Sequence, residues 1–303
     1  MNIDHLKLFS RIAITNNISQ AGNELGLSPA VASAHINKLE DALGARLIHR
    51  TTRKVSLTEE GLSFLPHAEQ VLEHIEAARA SVGAGEASPK GTLRVAASAS
   101  FAHLHLIPAL SDFLTQYPEL EVDFRLSDTI VDMVEGGFDV AIRIAALNDS
   151  SFVARKLADD QRIIVASPTY LENYGTPKTP QDLTNHQCLS LVGLENWQFK
   201  DGQSIKTSGH FKADNGQAIR QAATDGLGIT ISSIWCCYKQ LKSGELVQIL
   251  PSHPLSSHTA IWAVYPSSRL IAPKVRAFID FCVARFGDRP YWNNSLSDPS
   301  YLF

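Results

Sequence analysis

At 303 residues the chain is long enough for more than one domain, and 44 % hydrophobic with 19 % charged residues is the composition of an ordinary soluble globular protein. The opening MNIDHLKLFSRIAI puts Asp4, Lys7 and Arg11 inside what would have to be an apolar run, and no later stretch is long and apolar enough to span a bilayer; a signal peptide and a membrane span are excluded, and a cytoplasmic protein is expected. The net charge of −4 is unevenly spread: residues 1–58 carry seven Lys/Arg against four Asp/Glu, a balance of +3 that leaves −7 for the rest, so a polyanion would meet the front alone.

Along that front, residues 4–15 set Leu6, Phe9, Ile12 and Ala13 on one helical face. Ser19 is expected to cap a second helix running through Leu25 and closed by Gly26. Ser28 is an N-cap and Pro29 takes the first helical position, where its missing N–H costs nothing. The helix they open, within GLSPAVASAHINKLEDALG, has Ala32, Ile36, Leu39 and Leu43 on a core stripe. Its opposite face carries only Ala30, Ser33, Ala34 and Asn37, with Lys38 and Asp41 further along. Helix, tight turn and second helix form a helix-turn-helix, and small side chains suit a helix tip pressed into a DNA groove. The same face could equally pack against another helix.

ARLIHRTTRKVSLTEEG follows as a small winged hairpin, and Arg50, Thr51, Thr52, Arg53 and Lys54 at its turn are suited to phosphate and minor-groove contacts. A solvated charge run is the plainer account; the position directly after a helix-turn-helix favours DNA. Thr58 caps a long helix with Glu59 and Glu60 at its positive end. Leu65 and Leu72, then Ile75 and Val82, recur at sevens with Ala77 and Ala78 between, the pattern of a helix paired with its like; Pro66 predicts a kink. GAGEASPKG, residues 83–91, is a hinge by composition.

From Thr92 the rhythm becomes strand–helix alternation: TLRVAAS, FAHLHLIPALSDFLTQY, EVDFRLS, IVDMVEGG, FDVAIRI, RIIVAS, YLENYG, GHFKAD, QAIRQAATDG, LGITIS, TAIWAVY and a last helix APKVRAFIDFCVARF. This is an α/β body of a size for two similar lobes. The tail 291–303 has no periodicity and no legible role. Cys188, Cys236, Cys237 and Cys282 lack CxxC spacing and are expected as buried free thiols. His103 and His105, two apart, point to different sides and are expected at the surface or an interface rather than on a metal. No P-loop, GxSxG, HExxH or GxGxxG is present, so neither an enzyme nor a bound cofactor or metal is expected.

NISQAGNELGLSPAVASAHINKLEDALGARLIHRTTRKVSLTEEG resembles the DNA-binding end of the LysR-type transcriptional regulators, and LRVAAS, LIPALSDFLTQYPELEV, FDVAIRI and DGLGIT resemble their effector-binding domain. The likeness covers nearly all of the chain, to about residue 290. It implies an α/β protein with an N-terminal, all-α winged helix-turn-helix (1–58), a dimerising linker helix and hinge (59–90), and a two-lobed, periplasmic-binding-protein-like effector domain (91–290). On that pattern the first lobe is about 91–163 with 266–290, and the second about 164–265. The implied partners are promoter DNA, a small effector and further copies of the chain, in a tetramer made of two dimers.

The DNA-contacting set that follows is Ser19, Ser28, Pro29, Ala30, Ser33, Ala34, Asn37, Lys38, Arg50, Arg53 and Lys54. One departure stands out: family members commonly carry a long polar side chain, often Arg, where this chain has Ala34, so Ser33, His35, Asn37, Lys38 and the wing have more of the base reading to do. His35 lies at the edge of the core stripe, and packing and DNA contact are both open to it. For the effector, the resemblance implies Ser98, Ser100 and Phe101 where the first strand meets its helix, with Ser127, Arg143, Asn215 and Thr230 across the cleft. Helix capping alone would also account for Ser98 and Ser100. A strand-end Arg143 among apolar residues needs a partner, either an anionic ligand or an internal acid such as Asp139. The alternative overall is a cytoplasmic solute-binding protein without a DNA role, opposed by the missing signal peptide and the basic winged front.

Overall fold

The computed structural model describes residues 2–50, 55–81, 88–128, 137–146, 152–266, 271–287 and 289–296. The chain forms two compact units, one built on Met1–Ser88 and one on Pro89–Ser267 with Lys274–Phe303.

The first unit is three helices and a hairpin. Helix α1 (Ile3–Thr15) is capped by Asn2, and α2 (Ile18–Glu24) by Asn17, whose Oδ1 accepts the Gln20 amide at 3.0 Å. The expected Ser19 cap is therefore displaced by two residues: Asn17 already satisfies the first turn, and Ser19 lies exposed within it. Ser28 does cap α3 (Pro29–Leu43), accepting from Val31 N, and Gly44 ends that helix in the left-handed region at φ 69°. Ala32, Ile36 and Leu39 join Leu6, Leu8, Phe9, Ile12 and Ala21 in one core. Leu43, expected on that stripe, is 38 % exposed, and the inner place beside it is taken by Glu40 at 3 %. Helices α2 and α3 touch closely: a Cβ on Gly22 would sit 2.8 Å from that of Ala32.

Strands β1 (Ile48–Arg50) and β2 (Val55–Leu57) pair antiparallel as the wing, with Arg50 opposite Val55. Thr58 then accepts the Gly61 amide at 2.9 Å and donates to Arg46 O at 2.7 Å, opening α4 (Glu59–Ser81), which continues through Pro66. Of the seam expected on α4, Leu65, Leu72 and Ile75 are half-buried. Phe64, Leu65 and Leu72 pack on the unit's own core, whereas Leu62 and Val71 are large apolar side chains left exposed; Val82 lies outside the described residues.

The second unit opens with β3 (Gly91–Ala97) and a continuous helical segment: α5 (Ala99–Phe101), a π turn (Ala102–Leu106) and α6 (Ile107–Gln116). Then come β4 (Leu120–Leu126), β5 (Val140–Ala145), β6 (Phe152–Asp159), β7 (Arg162–Ala166), α7 (Pro168–Tyr174) and β8 (Cys188–Leu191). The hairpin β9 (Asn196–Gln198) and β10 (Ser204–Lys206) leads to β11 (Lys212–Ala213), α8 (Gly216–Thr224), β12 (Ile229–Ser233), α9 (Ile234–Ser243) and β13 (Val247–Ile249). Strand β14 (Ala260–Pro266) and α10 (Pro273–Phe286) follow. The helix expected over IVDMVEGG lies, but for its last residue, outside the described residues.

Two five-stranded sheets result, ordered β4-β3-β5-β14-β6 and β11-β8-β12-β7-β13. Each joins parallel pairs on one side to antiparallel pairs on the other, so the lobes repeat one plan. The lobe boundaries shift from those expected: β7 begins at Arg162 in the second sheet, and β14, from Ala260, pairs with β5 and β6 in the first. The chain thus crosses between lobes near Asp160 and again near Thr259. Asp160 fastens both crossings: its carboxylate accepts from Thr259 Oγ1 at 2.6 Å and from the Trp235 indole at 3.0 Å, and pairs with Arg162 at 3.1 Å.

The tail is not featureless. Tyr291–Leu296 forms a 3-10 turn, and Trp292 is buried against Phe101, His105 and Phe286. His105, expected at the surface or an interface, is 1 % exposed and reaches the second lobe; its ring nitrogens meet Tyr291 Oη at 2.7 Å and Trp235 O at 3.0 Å. Burial pushes its pKa down to about 4, so the ring is neutral.

Candidate DNA-contacting face and effector cleft

On α3 the residues Pro29, Ala30, Ala34, Asn37 and Lys38 are exposed together, with Ser33 half-buried between them and Ser28 exposed at the cap. That is a low-profile surface ending in an amide and an ammonium, able to approach base edges closely. His35 is half-buried with its ring 4.6 Å from that of His5, so it packs against α1. The Arg50 side chain, and Arg53 and Lys54 altogether, lie outside the described residues.

What holds the wing beside α3 is Glu40, which sequence patterning did not single out. Its carboxylate accepts the amides of Leu47 at 2.9 Å and Ile48 at 3.2 Å and pairs with Arg46 at 2.6 Å. Burial works to raise its pKa, but the Arg46 guanidinium and the two amides outweigh it and hold the carboxyl below its ordinary range.

In the second unit a cavity of about 500 Å³ lies between the two sheets. The first lobe lines it with Ser98, Ser100, Ser127, Asp128 and Arg143, the second with Gly216, Arg220, Thr230, Ser232 and Trp235. Of the expected residues, Ser98, Ser100, Ser127, Arg143 and Thr230 therefore face one space. Phe101 does not. It is fully buried, with its ring 5.3 Å from Trp235 and 5.7 Å from Phe286, because the helix that turns Ser100 toward the second lobe turns the next side chain inward. Asn215 is not a wall residue either: its Oδ1 caps α8 through Ala218 N, and its Nδ2 donates to Asp128.

Two of the bonds these groups make cross between the lobes, Asn215 to Asp128 and Gln217 to Ser100. Ser98 Oγ donates to Asp128 at 2.5 Å, and the same carboxylate receives Asn215; Ser100 Oγ accepts the Gln217 amide at 3.2 Å. Thr230 Oγ1 donates to Leu189 O at 2.9 Å. Asp139, one partner expected for Arg143, is engaged by other groups, while Arg143 has a contact of its own. Asp139 Oδ2 accepts the Arg94 amide at 2.7 Å and pairs at 2.9 Å with Lys274, itself 2 % exposed and donating to Thr92 O.

Sequence patterning missed Asp128, Asp160 and Arg220. A serine-rich strand end signals a cleft, but nothing local marks an acid or a base on a facing lobe. All four cysteines are buried free thiols; burial lifts Cys188 to about 12 and Cys236 to about 11, which leaves them protonated and inert. Among the described residues no group of three or more His, Cys, Asp or Glu could hold a metal, and no helix is long and apolar enough to cross a membrane.

Two family models match the chain: the bacterial regulatory helix-turn-helix of the lysR family over residues 3–62, and the LysR substrate binding domain over residues 86–287. It is 34 % identical over 301 residues to the HTH-type transcriptional regulator DmlR of Escherichia coli (strain K12), covering 97 % of each chain. It is 33 % identical to the transcriptional activator TtdR of the same strain, covering 92 % of each. The solved structure of CrgA, a LysR-type regulator from Neisseria meningitidis, matches 95 % of this chain and 100 % of that one with a TM-score of 0.62 at 31 % identity.

Proposed function

Since this chain belongs to the LysR-type transcriptional regulators, with a helix-turn-helix DNA-binding domain and an effector-binding domain, we propose that a small organic anion bound between the lobes of the second unit controls how the first unit engages promoter DNA. The observation that carries this is the lining of the cleft, where Arg143, Ser98, Ser100 and Ser127 of one lobe face Gly216 and Thr230 of the other. A guanidinium and the Ser100 hydroxyl, which accepts from Gln217 and keeps its proton to donate, suit a carboxylate, and enclosure between lobes excludes the water that would weaken the contact. An effector that favours one arrangement of the lobes shifts the population toward it, and with it the spacing or bending of bound DNA.

On the DNA side, Ser33, Asn37 and Lys38 would read bases, while Arg50, Arg53 and Lys54 of the wing hold phosphates. Ser19, Ser28, Pro29, Ala30 and Ala34 complete the contact surface. Residues 1–58 would then be the DNA-binding domain, 59–90 the linker helix and hinge, and 91–290 the effector domain. The protein would work in the cytoplasm as a tetramer of two dimers, with neither catalysis nor a cofactor.

A thermal-shift screen of small organic acids on the wild type and on Arg143→Ala tests the effector half. The wild type should shift upward with an acid, and the variant should fold and bind DNA but lose the shift. Stabilisation by neutral compounds alone, equal in both proteins, would overturn the anion.

A further inference from the structure

We propose that the effector is a dianion, a short dicarboxylic acid whose second carboxylate is received by Arg220. This rests on the cleft holding an organic anion at Arg143, and it adds the ligand's charge and the residue that selects for it. Arg220 projects from α8 of the second lobe into the same cavity. Its Nη1 donates to Cys236 O at 2.9 Å. Its Nε is buried and makes no hydrogen bond, and no carboxylate among the described residues forms an ion pair with it.

A buried donor with no acceptor carries its whole desolvation penalty, and a guanidinium without a counter-charge adds to it. The other second-lobe guanidinium in the cavity differs, since Arg162 is already paired with Asp160. Two acids also line the cleft, Asp128 and Asp214; both are exposed, and Asp128 is held by Ser98 and Asn215. Neither neutralises Arg220.

With Nη1 committed to Cys236, Nη2 is the donor that can meet a carboxylate directly, and the buried Nε would join it in a two-point contact once the guanidinium turns toward the ligand. Arg143 belongs to the first lobe and Arg220 to the second, so an acid charged at both ends would bridge the lobes. One charged at a single end would leave Arg220 as it is. The same cavity is also lined by Thr230, Ile219 and Trp235, and such a hydroxyl and apolar lining suits an uncharged carbon chain.

The test is calorimetric titration of the full-length protein with acetate, propionate and butyrate against succinate, glutarate and adipate. At least one dicarboxylate should bind about tenfold or more tightly than every monocarboxylate, as expected for one added charge-assisted contact. Arg220→Gln should erase that preference, bringing dicarboxylate affinity down to that of the monocarboxylates. Arg220→Lys, which keeps the charge but not the fork, gives the same readout if the Gln variant misfolds, and should lose most of the preference. Monocarboxylates that bind as well as dicarboxylates, or a preference that survives both substitutions, would overturn the dianion. If monocarboxylate binding is also lost in Arg143→Gln, the anion at Arg143 stands and only the second charge falls. Binding of none of the six acids overturns both.

Discussion

The Glu40 carboxylate accepts the amide of Leu47 at 2.9 Å, tying the end of the recognition helix to the strand that starts the wing. Helix and wing must meet DNA in fixed relation, and this bond sets that relation from inside the unit. Glu40→Ala would strand the two wing amides and should cost about 2–3 kcal/mol of stability. Because the folded pKa is held below the ordinary value of 4.5, the contribution is present above that pH and is lost as pH falls through the folded value. Denaturant melts of wild type and Glu40→Gln between pH 7 and 3 check this: the gap between them should narrow below pH 4.5, and a constant gap would refute it.

His105 gives the second unit the same kind of acid sensitivity by a different route. Its ring is neutral in the fold, with a pKa of about 4 against 6.5 unperturbed, while the unfolded chain takes up a proton below 6.5. Stability should therefore fall as pH drops from 6.5 toward 4, by roughly 3 kcal/mol over the window. His105→Asn should flatten that slope. The imidazole carbon shifts in an NMR titration read the pKa directly, and a value at or above 6.5 would contradict the burial.

The DNA-binding surface separates reading from holding. Asn37→Ala should cost about 1–3 kcal/mol on the cognate site and relax preference at one base step. Arg53→Ala should weaken specific and random duplexes alike and lower the salt slope by about one unit. Binding-site selection and salt-dependent mobility shifts on the two variants check the division. Unchanged specificity in Asn37→Ala would move readout to DNA shape.

On α4 the two faces should respond differently. Leu72 packs on the core of its own unit, so Leu72→Asp should lower the melting temperature and lose structure outright. Leu62 is 61 % exposed and apolar, so Leu62→Asp should leave the fold intact while lowering the mass seen by light scattering. An unchanged mass would place the contact between copies elsewhere.

Local chemistry by itself settled much of this protein. Ser28 with Pro29 opens α3, Thr58 with two acids opens α4, and apolar runs bounded by turns give most of the strands, because caps and periodicities act over a few residues. The order of those motifs was enough to identify the family. Strand β6 went unrecognised: its burial alternates poorly, with Arg155 and Lys156 both exposed, and it is a strand because β14 pairs with it.

Only the tertiary structure decided which polar groups are inside. Lys274 is buried because Asp139 and Thr92, far back in the chain, meet its ammonium; Asp160 because Thr259 and Trp235 do; His105 because Tyr291 and Trp235 do. A charged or polar side chain goes inside only where distant partners repay its desolvation, and a one-dimensional pattern does not contain those partners. The cleft follows the same rule. Ser98 and Ser100 were legible at the end of a strand, but Arg220 and Asp128 belong to it only because two crossings at Asp160 and Thr259 fold one sheet opposite the other.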